Sequence, residues 1–180
     1  FFISFAIKIP VFPFHLWLSE AHVESPTEGS VILAGILLKL GTYGICRFLF
    51  FLFPYLSYYY SSLVIVLCSL GIIYTSFMAL RQIDLKKIIA YSSVGHMNFC
   101  TIGLFSFNLY SLHGSIFMMI GHGVISSALF FLIGMIYQRY HTKLLYHYSG
   151  ISYSIHFYYF FFLFFMFSNI SFLITVHFFS

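Results

Sequence analysis

The chain is built from apolar runs longer than a water-soluble fold needs. A bilayer core of about 30 Å is crossed by roughly 20 apolar residues in helical form. Runs of that kind recur along this sequence with only short breaks. Residues 30–53 extend from Ser30 to Phe53 and stop at Pro54. Residues 62–80 are apolar throughout, 86–107 and 113–137 follow, and 151–179 form a last, Phe-rich run. The opening stretch, residues 1–18, is apolar but carries Lys8, Pro10 and Pro13, and reads as an interrupted span. These runs are continuous, do not alternate, and are too long for barrel strands. The expected fold is an all-α integral membrane bundle, one domain over residues 1–180 with about six transmembrane helices, the first broken by proline.

Composition excludes most other classes. Only 7% of residues are charged and 61% are hydrophobic, against about 25% charged in a soluble domain. A net charge of +4 scattered over the chain gives no polyanion footprint, so no nucleic-acid partner is expected. Cys46, Cys68 and Cys100 lie far apart in apolar runs, with neither metal-ligand nor disulfide spacing. Phe1 is not a Met and no basic segment precedes the first apolar stretch, so the chain is expected to begin inside a longer protein. The 26 Phe and 15 Tyr have AT-rich codons, a hint of organelle coding.

The short loops alternate in charge. Glu20, Glu24 and Glu28 mark a loop at 19–29, read as solvated; Arg81, Asp84, Lys86 and Lys87 mark 81–87; Arg139 and Lys143 mark 138–150. Arg47 stands alone on the opposite side, with Tyr58, Tyr59 and Tyr60 as an interface belt. The basic excess places the first side in the cytoplasm or matrix.

Lys8, Lys39, His96 and His122 fall inside the apolar runs. At about 1.5 Å per helical residue, Lys8 lies about 15 Å before Leu18. By the same measure Lys39 is about 13–14 Å after Ser30, His96 about 15 Å after Lys86, and His122 about 13–14 Å after His113. All of them sit near the midplane of a bilayer about 30 Å thick. A charge at that depth costs at least about 2.5–3.5 kcal/mol, and a single such group can be a packing oddity. Groups at one depth on different helices suggest a lateral polar line able to pass protons through lysine, histidine and water.

A lone intramembrane histidine often only bonds two helices together, whereas a mid-span lysine has no comparable structural role. His15, His22, His113, His141, His147, His156 and His177 read as interface or loop residues and are assigned no chemistry. Pro10 and Pro13 free backbone carbonyls next to Lys8, which a membrane helix tolerates where it lines a cavity. No span has the paired histidines of a bis-His haem site, and neither a flavin or nucleotide loop nor HExxH is present. No redox centre or metal is expected on this chain.

The stretch KIPVFPFHLWLSEAHVESPTEGSVILAGILLKLGTYGICRF (Lys8–Phe48) resembles the proton-pumping, antiporter-like membrane subunits of respiratory complex I, in their mitochondrial form. RQIDLKKIIAYSSVGHMNF (Arg81–Phe99) and MMIGHGVISSALFFLIGMIYQRYHT (Met118–Thr142) fit the same family in the same order. The family shares its fold with multi-subunit cation/proton antiporters. The resemblance implies that Lys8 is the switchable lysine of a broken helix, modulated by an acid on an earlier helix. Lys39 would be the connecting lysine, and His96 and His122 the central relay. It implies a multi-pass protein of the mitochondrial inner membrane that moves protons during NADH:ubiquinone oxidoreduction. Partners would be the other membrane-arm subunits, neighbouring antiporter-like subunits above all, with membrane lipids and a possible second chain supplying missing helices. FMN, iron–sulfur clusters and ubiquinone would belong to other subunits of the complex.

The sequence departs from that family in two places. Glu28 stands where the family has a small residue. The run Asn169-Ile170-Ser171-Phe172-Leu173-Ile174-Thr175 lacks the Pro-Gly of the family's second helix break, and Ser180 stands about where the family's terminal ionisable residue would follow. Two rival readings therefore stand beside pumping: a structural, non-pumping subunit of the arm, and a component of a multi-subunit cation/proton antiporter.

Overall fold

The computed structural model of the chain describes residues 1–148 and 156–170. The ends of the last apolar run, the Ser171–Thr175 segment and His177 lie outside the described residues, as does the side chain of His147. The helices are α1 (Phe2–Lys8), α2 (Leu16–Glu24), α3 (Thr27–Leu52), α4 (Pro54–Tyr59), α5 (Ser61–Leu80), α6 (Leu85–Phe105), α7 (Leu109–Tyr140) and α8 (His156–Asn169). Among the described residues there is no strand, only an isolated antiparallel bridge between Asp84 and Leu144. Of these helices α3, α5, α6 and α7 are long and apolar enough to cross a membrane.

The opening span is broken where its prolines stand. Pro10 has no N–H, so the Val11 N–H reaches back to the Ala6 carbonyl at 2.9 Å. The Ile7 carbonyl takes the Trp17 indole N–H instead, at 3.0 Å. One side chain from the second half thus ties the two halves across the gap.

The loop expected at 19–29 is a correction. It is helical up to Glu24 and again from Thr27. Glu20, Glu24 and Glu28 are exposed, and α2 continues because its other face, Leu18, Ser19 and His22, is buried. His15 and His22 are a second correction. The sequence places both at an interface or in a loop, and both are buried, at 3% and 0% exposure.

α3 is not a uniform α-helix. Wider π turns occupy Leu33–Leu37 and Ile45–Leu49. Such turns concentrate at functional sites because they re-aim side chains and disturb the carbonyl row. The first lies directly ahead of Lys39.

α5 and α6 pack as a hairpin, α7 follows α6, and α3 lies along α7. α2 rests on α6, and α8 on α7. One apolar core joins α1, the break, α3, α5 and α6 through Ile9, Leu38, Cys68 and Leu104. A second joins α3, α6 and α7 through Ala34, Ala90, Leu129 and Phe130. Lipid offers no hydrophobic gain for helix association, so close backbone approach matters more. At Gly41 an added Cβ would stand 2.5 Å from Ile9 Cγ1 and 3.2 Å from Lys8 Cβ. The charged loops meet at one end of the bundle. Lys86 Nζ donates to the Ser25 carbonyl at 3.1 Å and Lys143 Nζ to the Val23 carbonyl at 3.2 Å. These cations cap the C-terminal end of α2, where its dipole favours positive charge.

Candidate functional site

Lys39, His96 and His122 come from α3, α6 and α7 and converge in the bundle interior. Lys39 Nζ lies 2.8 Å from His122 Nδ1 and also donates to the Ala34 carbonyl inside the π turn. Gly123 lets α7 approach α3 beside it, since an added Cβ there would stand 3.3 Å from the Gly35 carbonyl oxygen. His122 is 1% exposed. The His122 and His96 rings lie 5.6 Å apart between centroids, with planes inclined at 52°. The Asn169 backbone at the end of α8 hydrogen-bonds the His96 ring, and Asn169 Nδ2 donates to Ser92 Oγ at 3.2 Å, one turn before His96.

This arrangement has a definite chemistry. With the His122 proton on Nε2, Nδ1 accepts from the Lys39 ammonium; moving that proton across gives neutral lysine and imidazolium. Both states keep one hydrogen bond and one positive charge in the pair, so exchange needs no new desolvation. His96 is the next titratable ring along the line, its centroid 5.6 Å from that of His122.

Lys8 is not brought into that cluster. Its backbone shares the level, because its Cβ sits beside Gly41, about 3 Å along the helix axis from Lys39. Its side chain is exposed on the outside of the described bundle. Depth reasoning misses two buried histidines, His15 and His22, the second lying among acids that mark a loop. Among the described residues no group of three or more His, Cys, Asp or Glu is placed to hold a metal ion.

The chain matches, over residues 1–180, the family described as NADH:quinone oxidoreductase/Mrp antiporter, TM. It is 53% identical over 172 residues to NADH-ubiquinone oxidoreductase chain 4 of Acanthamoeba castellanii, covering 96% of this chain and 35% of the relative. It is 61% identical over 150 residues to the chain 4 of Prototheca wickerhamii, covering 83% and 29%. NADH-quinone oxidoreductase subunit M of Rickettsia conorii is 55% identical over 151 residues, covering 84% and 31%. This chain therefore spans about a third of the length of those relatives. Among solved structures, a chain of respiratory complex I from Thermus thermophilus superposes with a TM-score of 0.89 at 28% identity, over 94% of this chain and 36% of that one. A chain of the Mrp complex from Dietzia sp. DQ12-45-1b gives 0.88 at 25%, over 93% and 31%. With its whole length matched and its fold superposed on a chain of respiratory complex I, the chain belongs to the NADH:quinone oxidoreductase/Mrp antiporter transmembrane family.

Proposed function

We propose that this chain forms part of a membrane-arm subunit of respiratory complex I and passes protons across the mitochondrial inner membrane during NADH:ubiquinone oxidoreduction. The observation that carries this reading is the 2.8 Å approach of Lys39 Nζ to His122 Nδ1, with the His96 ring next in line. A lysine held against an imidazole inside an apolar bundle has no packing value that a leucine would not exceed; its use is the proton the pair exchanges. In this reading Lys8 is the switchable charge, Lys39 the connector, and His122 and His96 the continuation of the route. Its neighbours are other membrane-arm subunits, antiporter-like ones among them, and lipid. FMN, iron–sulfur clusters and ubiquinone sit on other subunits, and this chain supplies no redox group.

The similarity to the Mrp complex chain supports a second reading, a subunit of a multi-subunit cation/proton antiporter that exchanges ions without electron transfer. Co-purification decides between them: the first reading expects NADH oxidation in the assembly that contains this chain, the second expects none.

The relay itself is tested by Lys39→Ala and Lys39→Arg in the assembled complex. Each is expected to lower proton-coupled turnover by about tenfold or more, the scale on which loss of an acid–base group is felt. Assembly should stay near normal. Arginine restores the charge but does not release its proton in this range. Normal pumping per electron in both variants makes Lys39 a structural residue.

A further inference from the structure

Among the described residues, His22 is a histidine at 0% exposure that the route above does not use. It lies on α2 with its ring stacked on Phe130 of α7, centroids 4.3 Å apart and planes 6° apart. Neither ring nitrogen has a hydrogen-bond partner among the described residues. Buried polar atoms in native folds are nearly always paired, with protein or with ordered water. If the ring served only to fill space against Phe130, phenylalanine would do so without two stranded nitrogens.

Hydroxyls gather at the backbone of His22, and charges lie beyond its ring. The His22 carbonyl accepts from the Ser25 and Ser30 hydroxyls at 3.4 and 3.3 Å, and those hydroxyls lie 2.7 Å apart. Outward, Lys86 of α6 acts on the ring electrostatically, with Glu28 of α3 and Lys143 beside Lys86 in turn. Tyr91 of α6 approaches Ser19 at 3.4 Å, and Tyr137 of α7 lies under both lysines. Inward, Phe130 stands eight residues after His122 on α7, about 12 Å along the axis. Midway is Ser126, 1% exposed, donating to the His122 carbonyl at 2.6 Å. Ser30 likewise precedes Lys39 by about 13–14 Å on α3. His22 therefore stands between the charged end of the bundle and the level of the Lys39–His122 pair, with Ser30 at its own level and Ser126 midway to His122.

We propose that His22 is a relay residue of the half-channel joining the Lys86–Glu28 mouth to the Lys39–His122 pair, carrying internal water on its two ring nitrogens. This rests on the proton-passing reading above. A neutral imidazole accepts a proton at one nitrogen from mouth-side water while the other nitrogen gives its proton to water beside Ser30 and Ser126. One proton enters and one leaves, and a ring or tautomer flip resets the group.

The test compares His22→Phe, His22→Gln and Lys39→Ala in the assembled complex in sealed vesicles, reading protons moved per NADH oxidised. His22→Phe keeps the stack on Phe130 and removes the stranded nitrogens, so assembly is expected with pumping lowered on the order of tenfold. His22→Gln holds water but does not titrate, and the same loss is expected. Normal pumping in either His22 variant, with Lys39→Ala impaired, makes His22 a packing residue and leaves the wider reading intact. Normal pumping in Lys39→Ala removes that reading and this proposal with it. Hydroxyl-radical footprinting of the unmodified complex reads hydration without any variant: labelling at His22 and Phe130 supports internal water there, and protection of both overturns it.

Discussion

Lys39 and His122 are expected to act as one group. A 2.8 Å contact between an amine and an imidazole nitrogen inside an apolar bundle leaves either partner badly placed when the other is removed, since its charge then has to be carried alone. Effects of paired residues of this kind do not add. In a cycle of Lys39→Ala, His122→Ala and the double variant, the double is expected to lose little more turnover than the worse single; additive losses in log turnover would show two independent groups. Arithmetic on helix rise brought Lys39, His96 and His122 to one depth from the sequence, because each sits in a run whose ends are marked by charge. Their mutual distances needed the packing of α3, α6 and α7. His22 was illegible for the converse reason: Glu20, Glu24 and Glu28 lie on the exposed side of the segment and made all of it read as solvent-facing.

The elements show which signals in the sequence are strong. Continuous apolar runs mark where α3, α5, α6 and α7 lie, but α7 runs from Leu109 to Tyr140, so the expected 108–112 turn is helical from Leu109. Pro10 and Pro13 mark the break before α2. The π turns of α3 leave no such trace, because the same apolar residues serve an α or a π turn and tertiary packing selects between them. Close approaches are equally silent in the sequence. α1 crosses α3 at Gly41, where Ile9 Cγ1 and Lys8 Cβ occupy the space of a side chain. Gly41→Ala is expected to separate the two helices and to destabilise the bundle by about 1–3 kcal/mol, the usual cost of overpacking. It should also displace Lys8 from the Lys39 level. Thermal stability of the detergent-solubilised complex checks the first effect, and an unchanged melting temperature would mean that α1 yields without cost.

At the scale of the whole molecule, the described bundle is polar at its centre and incomplete at one flank. His122 is buried among α3, α6 and α7, and Lys39 and His96 beside it are half-buried, but Lys8 stands at their level with its side chain exposed. The outward residues of α3, Ile32, Ile36, Leu40 and Tyr43, are exposed as well. Lipid covers such isoleucines and leucines at no cost. It does not cover an ammonium at mid-membrane depth, where a charge costs at least about 2.5–3.5 kcal/mol without a partner. The chain's own acids, Glu20, Glu24, Glu28 and Asp84, stand at or near the charged end, about 15 Å away along a helix. The Lys8 amine is therefore expected to meet an Asp or Glu from another segment of the full-length protein or from a neighbouring subunit. In the assembled complex that carboxylate should lie within about 4–6 Å, close enough to favour the charged lysine. Replacing it by an amide should lower pumping with assembly retained, while Lys8 together with its acid exchanged for a neutral pair should assemble normally and still fail to pump. If every neighbour presents only apolar side chains to Lys8, the lysine has no charge to answer, and the route begins at Lys39.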